Sequence, residues 1–170
     1  MAADVSPEIL ARARRVRCLV LDVDGVMTDG KLYLGPDGEE WKTTNVRDGL
    51  GIRLLLKGGI DVAVISGRPS AAIASRLASL GVRHVQLGAA DKSAAFNELR
   101  NALDLDDAAC AVMGDDVPDL PLMRRAGLAM TVSDAHPCAA SAAHWISRCP
   151  GGGGAIREAA DLLLAAQSGP

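Results

Sequence analysis

The sequence predicts an α/β protein built on a doubly wound, Rossmann-like parallel sheet, with one β-hairpin projecting from it. Short apolar runs alternate with helix-length segments along the chain, the βαβα pattern of that fold class. The best runs are almost continuously hydrophobic, as strands covered on both faces must be. Several of them end in acidic, hydroxyl or basic residues. Sheets of this class bind ligands beyond the carboxyl ends of their strands.

The apolar runs are 18–23, 62–65, 84–87, 110–113, 129–132 and 145–147. Between them, helices are expected near 51–58, 69–80, 92–103, 119–126 and 154–167. The stretch GKLYLGPDGEEWKTT, residues 30–44, breaks the rhythm and reads as two short strands around a Gly-Pro-Asp-Gly turn. Leu32, Leu34 and Trp41 would leave apolar surface on that hairpin, the kind of surface that meets a partner subunit. PGGGG at 150–154 is the one flexible-looking stretch, and it could release residues 150–170 from the core as a mobile tail.

Composition narrows the function. A chain of 170 residues suits a single domain spanning 1–170, with a core that must be aliphatic because aromatic residues are only 2% of it. Net charge of −3 and scarce aromatic rings argue against a nucleic-acid surface. No run reaches the roughly 20 apolar residues of a membrane span. The start MAADVSPEILARARRVR is amphipathic and lacks a signal-peptide core, so a cytoplasmic protein is expected. Cys18, Cys110, Cys138 and Cys149 show no C-x-x-C spacing and read as small buried hydrophobes. His84, His136 and His144 are scattered and read as structural.

The chemistry concentrates at strand ends. The first run ends in Asp22 and Asp24, the second in Ser66-Gly67-Arg68, and the third is followed by Lys92. The fourth ends in Asp115 and Asp116, with Asp119 one turn on. Acids, a hydroxyl and cations thus fall at one edge of one sheet. Clustered carboxylates repel and raise one another's pKa unless a cation compensates. Oxygen-only ligands on short loops suit a hard cation, best Mg²⁺. A lysine and a hydroxyl beside it suit a phosphoryl group. A turn at Gly25 would let Asp22 and Asp24 take separate roles.

D-x-D-G-V, S-G-R, a lone Lys and G-D-D-x-x-D, in that order, resemble the four motifs of the haloacid dehalogenase-like phosphatases. The intervals, Asp22 to Ser66 and Ser66 to Lys92, hold 44 and 26 residues and leave no room for a cap domain. The longer stretches LDVDGVMTDGKLYLGPDGEEWKTTNVRDGLGIR, ISGRPS, LGAADKSAAF, GDDVPDLPLM, VSDAHP and GGGGAIREAADLLLAAQ resemble the 3-deoxy-D-manno-octulosonate 8-phosphate (KDO 8-phosphate) phosphatases over nearly the whole chain.

That resemblance implies a Mg²⁺-dependent phosphatase acting through an aspartyl-phosphate, in lipopolysaccharide precursor synthesis. It implies Asp22 as nucleophile and Asp24 as general acid/base. Ser66 and Lys92 would hold the transferring oxygens. Asp22, the Asp24 carbonyl and Asp115 would hold the metal, with Asp116 and Asp119 as supports. Asn45, Val46, Arg47, Asp48 and Gly49, with Arg53, Arg68 and Arg76, would belong to the substrate site together with Asp24 and Lys92. Arginines suit this substrate, which carries a phosphate and a carboxylate. The family also implies a homotetramer in which hairpins pack and a tail reaches a neighbouring site.

The chain departs from the family where the tail commonly reads G-G-R-G or G-G-H-G, because Gly153 fills the third place. A nine-carbon acidic sugar 9-phosphate, of the KDN or acylneuraminate type, therefore stays open as the substrate. A non-catalytic assembly module is a third reading. A phosphate-receiving regulatory domain would lack S-G-R and the hairpin. Gly151–Gly154 lack the Lys-Ser/Thr of a nucleotide-binding loop.

Overall fold

The structure, a computed structural model, describes residues 5–168. Its main sheet holds β1 (Cys18–Leu21), β4 (Asp61–Ser66), β5 (His84–Leu87), β6 (Cys110–Met113), β7 (Leu128–Thr131) and β8 (Trp145–Ile146), while β2 (Tyr33–Leu34) and β3 (Glu40–Trp41) pair separately. The order is β5-β4-β1-β6-β7-β8, with parallel pairing. The chain runs outward from β1 in one direction and then restarts beside it with β6. Strand order therefore reverses between β1 and β6, the crevice where sheets of this kind bind ligands.

The helices are α1 (Pro7–Arg15), α2 (Val46–Lys57), α3 (Ala71–Leu80), α4 (Lys92–Leu103), α5 (Leu120–Met123), α6 (Pro137–Ala142) and α7 (Ala155–Gln167). Local chemistry sets their starts. Ser6, Ser70 and Asp91 each accept a backbone N–H from the first turn of α1, α3 and α4.

β1 is buried at every position, and its side chains alternate between two cores. Leu19 and Leu21 join Ile52, Leu55, Ile73, Leu77, Ile156 and Leu163 under α2, α3 and α7. Cys18 and Val20 join Phe96, Val112, Leu122 and Met123 under α4 and α5. Each fully buried Leu contributes about 1.5–3 kcal/mol relative to exposure. Phe96, fully buried, has the guanidinium carbons of Arg100 and Arg125 at 5.6 and 5.1 Å from its ring centre.

Several expectations need correction. α2 begins at Val46, well before residue 51, because Asn45 accepts the Arg47 N–H and caps it; Gly49 and Gly51 weaken its helical signal in sequence. The segment expected at 119–126 is a 3₁₀ turn over Val117–Asp119 followed by the single turn of α5, since Pro118 and Pro121 interrupt the ladder. α6 had no sequence expectation. The hairpin is present, but its strands are two residues each.

The largest correction concerns the tail. Through Ser168 it is not released. Ala155, Ile156, Ala159, Ala160, Leu162 and Leu163 of α7 are buried core residues packed on α2 and α1. The glycines before α7 serve close approach. A Cβ on Gly151 would lie 1.9 Å from the Gly25 carbonyl oxygen, so only glycine fits against the loop after β1. Gly152 N–H donates to the Val26 carbonyl at 3.0 Å. The last two residues of the expected tail, and the first four of the amphipathic start, lie outside the described residues.

Candidate active site

The carboxyl ends of β1 and β6 bring Asp22 and Asp115 to the two sides of the switch point. Gly25, at φ +92°, turns the chain sharply after Asp24 in a region that favours glycine. Asp115 lies directly against it: a Cβ on Gly25 would come within 2.0 Å of Asp115 Oδ2. Carboxylate atoms of Asp22, Asp115 and Asp119 converge within 4.8 Å of one another.

One lysine serves this acidic group. Lys92, the first residue of α4, donates to Asp22 Oδ1 at 2.8 Å and to Asp119 Oδ1 at 2.7 Å. Asp119 also accepts the backbone N–H groups of Asp115 and Asp116, at 3.1 and 3.4 Å. It is thereby the best satisfied of the three. Burial, then the neighbouring Asp119, pushes the Asp22 carboxyl up to about 6 despite Lys92. Burial, then Asp22, Asp119 and Asp116, pushes Asp115 up to about 7. The two carboxylates raise the Lys92 ammonium against its own desolvation.

No donor among the described residues hydrogen-bonds the Asp115 carboxylate. Its proton affinity is set by burial and like charge, with only a weaker opposing pull from Lys92. Asp22 and Asp115 therefore present an oxygen-only donor set short of positive charge. That fits a hard divalent cation such as Mg²⁺.

Asp24 has a different environment. Its Oδ1 accepts from Lys42 Nζ at 2.6 Å, and Arg68 Nε stands 3.6 Å from Oδ2. Glu40 bridges both cations, ion-pairing with Lys42 at 3.2 Å and hydrogen-bonding Arg68 Nη2. The Lys42 side chain is only 2% exposed. Asp24 Oδ2 is buried and lacks a hydrogen-bond partner. The hairpin thus turns its polar face onto Asp24 while Trp41 points outward.

Ser66 ends β4, buried, with its hydroxyl accepting the Arg68 N–H at 3.3 Å. Arg76 lies over the start of α2, where a Cβ on Gly49 would come within 2.5 Å of its Nη2. Arg47 and Arg53 stand exposed on α2, and Val46 is exposed beside them. Asn45 and Asp48 make contacts the sequence does not reveal. Asn45 Nδ2 donates to the Gly152 carbonyl at 3.1 Å. Asp48, buried, accepts from Gly154 N–H at 3.2 Å and Arg157 N–H at 2.9 Å. Both side chains fasten the glycine loop to the start of α2.

Sequence reasoning passed over Lys42 and Glu40. The signal was available: in a two-residue strand with Trp41 outward, residues 40 and 42 share the opposite face. Asp119, read from the sequence as a support, is in direct contact with Lys92.

Fold and site together define a class, the haloacid dehalogenase-like hydrolases, and a family model of that description matches residues 84–156. The 3-deoxy-D-manno-octulosonate 8-phosphate phosphatase KdsC of Yersinia pestis is 45% identical over 163 residues, covering 96% of this chain and 87% of that protein. Its crystal structure superposes with a TM-score of 0.95 and covers 96% of this chain and 89% of that one. The Moraxella catarrhalis 3-deoxy-D-manno-octulosonate 8-phosphate phosphatase, solved in complex with magnesium ion, phosphate ion and KDO, is 36% identical with a TM-score of 0.93, covering 96% and 94% of the two chains. The chain belongs to the 3-deoxy-D-manno-octulosonate 8-phosphate phosphatase family.

Proposed function

We propose that this protein is a Mg²⁺-dependent phosphatase that hydrolyses 3-deoxy-D-manno-octulosonate 8-phosphate to the free sugar acid and phosphate, a step of lipopolysaccharide precursor synthesis. The observation that carries the reading is the convergence of Asp22, Asp115 and Asp119, served by Lys92 alone, beside an Asp24 whose Oδ2 has no hydrogen-bond partner. The whole chain acts as one phosphatase domain.

Asp22 and Asp115, with the Asp24 backbone carbonyl, would hold Mg²⁺. The ion supplies charge for the phosphate oxygens and keeps the neighbouring carboxylates ionised. An Asp22 carboxylate oxygen attacks phosphorus as the bond from phosphorus to the sugar oxygen breaks. Asp24 gives its proton to the departing alkoxide. In the second half Asp24, now a carboxylate, takes a proton from the attacking water. The Asp22–phosphorus bond breaks and phosphate leaves, with both residues restored. Lys42 fixes one oxygen of Asp24, leaving Oδ2 to carry the proton. Lys92 and Ser66 hold transferring oxygens and spread transition-state charge.

Arg47, Arg53, Arg68 and Arg76 provide the positive charge that an anionic sugar acid requires, with Val46 and Gly49 shaping that wall. Asn45 and Asp48 serve it indirectly, by holding the loop 150–154. Among the described residues no cap domain is inserted over the site. A homotetramer assembled through the hairpins supplies a cover, a reading supported by exposed Leu34 and Trp41, at 71% and 63%. No described helix is long and apolar enough to cross a membrane. We assign the protein to the cytoplasm on the charge of its soluble substrate.

The test is phosphate release with Mg²⁺ from the eight-carbon 8-phosphate, nine-carbon acidic sugar 9-phosphates and neutral hexose phosphates. Asp22→Ala should lose at least about 10⁴-fold. Preference for a nine-carbon sugar would replace the substrate, and release that survives Asp22→Ala would overturn the mechanism.

A further inference from the structure

Beyond the catalytic carboxylates, a second group of ligating side chains converges near the motif-bearing loop after β6. Asp116, His136 and Cys138 bring a carboxylate oxygen, an imidazole nitrogen and a thiol within 4.8 Å of one another. His136 Nδ1 lies 2.9 Å from Cys138 Sγ and 3.9 Å from Asp116 Oδ1. We propose that these three side chains form a binding site for a borderline divalent metal ion of the zinc class, distinct from the catalytic site.

The donor chemistry selects the ion. Thiolate and imidazole favour zinc, cobalt and their neighbours, while Mg²⁺ prefers oxygen. A tetrahedral zinc ion, bonded at about 2.3 Å to sulfur and about 2.0–2.1 Å to nitrogen, would hold those two atoms about 3.5 Å apart. Small side-chain movements convert the observed triangle to that one. Three protein ligands leave a fourth position for water.

The backbone holding the ligands is already fixed. His136 N–H donates to the Asp115 carbonyl at 2.9 Å, joining the two loops that carry the site. Asp116 Oδ1 accepts the Val117 N–H at 2.7 Å, which orients the carboxylate beside His136. Helix capping accounts for the backbone contacts of Asp116 and His136. The Cys138 N–H reaches His136 Nδ1 at 3.3 Å, a long bond that an ion would displace at little cost. Capping gives no reason for the thiol to fold back onto the same nitrogen. Asp116 and His136 are exposed and Cys138 half-buried, so an ion has a path from solvent.

The experiment is an anaerobic Co²⁺ titration of the full chain saturated with Mg²⁺, read by thiolate-to-cobalt charge-transfer absorption in the near ultraviolet. Cobalt among the oxygen ligands of Asp22 and Asp115 gives no such band, so the two sites are separated by spectroscopy. The expected result is a band that saturates at one equivalent, vanishes in Cys138→Ser and persists in Cys149→Ser. His136→Ala should weaken cobalt affinity at least as much as loss of an outer partner does, roughly 10–100-fold. Cys138→Ser should keep the basal phosphatase rate, which reports its folding. In the unmutated protein, one equivalent of Zn²⁺ should also protect Cys138 from alkylation. No band at stoichiometric cobalt, a band that survives Cys138→Ser, or a thiol alkylated equally fast with zinc present would each overturn the proposal.

Discussion

Two acidic residues of the candidate active site, Asp24 and Asp115, have surroundings that differ in kind. Asp24 is held by the buried Lys42 and stands near Arg68, cations that the hairpin and the loop after β4 bring to it. Asp115 lies against Gly25 and Asp22 with no hydrogen-bond donor to its carboxylate among the described residues, and its carboxyl is pushed up to about 7. One carboxylate has its positive charge built into the protein. The other needs charge from outside. In the proposed mechanism that difference separates the proton carrier from the metal ligand, although both are aspartates at strand ends. On that proposal the neighbouring cation, and not residue type alone, sets the role.

Exchanging the side chains at the two positions should produce different failures. Asp24→Asn removes the transferable proton and should lower kcat about 10²–10⁴-fold while leaving Mg²⁺ affinity nearly unchanged. Asp115→Asn should lower the rate about 10²–10³-fold through several kcal/mol of lost metal stabilisation, and rising Mg²⁺ should partly restore it. Kinetics across a Mg²⁺ series distinguish them. Equal Mg²⁺ dependence in both variants would erase the distinction.

Lys42→Met tests whether the hairpin positions Asp24. Releasing Oδ1 should cost up to about 10²-fold in kcat, the penalty for a catalytic group displaced by about 1 Å. Little change in KM or Mg²⁺ affinity is expected. A variant with full kcat would show that Lys42 only fills space.

The acidic cluster also predicts a pH signature in metal-free protein. Asp22 and Asp115 have folded pKa values of about 6 and about 7 against an ordinary 3.8. The folded state therefore binds more protons than the unfolded state between those values, and stability falls as pH rises from about 4 to 7. Mg²⁺ should reverse that fall at neutral pH, because it binds the ionised carboxylates. Asp115→Asn should flatten the metal-free slope and raise the metal-free Tm at pH 7 by about 2–4 °C, the change that 1 kcal/mol makes in a chain of this size. Melting curves with chelator and with Mg²⁺ measure both; a metal-free profile that Asp115→Asn leaves unchanged would refute this account.

Gly151→Ala gives the smallest effect on chemistry. Its Cβ would strike the Gly25 carbonyl, so the loop after β1 must shift, at about 1–3 kcal/mol of stability. Denaturant unfolding reads that cost.

Much of this was legible in the sequence because it depends on local pattern. Continuous apolar runs mark buried parallel strands, and their ends mark the site edge. Asp22, Ser66, Lys92 and Asp115 were found this way, and the structure brings them to one sheet edge. The sequence also placed a hairpin where one stands. Other features depended on partners distant in the chain. Asn45 and Asp48 read as substrate residues, yet their side chains hold a loop more than 100 residues away. His136 and Cys138 read as structural because nothing local joins them to Asp116.

The sequence by itself determined the strand order's raw material, the chemistry at each strand end and the family, since hydrophobic period and motif spacing are properties of neighbouring residues. Only the tertiary structure decided which cation serves which carboxylate, and that the glycine loop is pinned and not free. Those outcomes rest on through-space distances of a few ångströms, where Coulomb energy and close packing act without regard to separation along the chain.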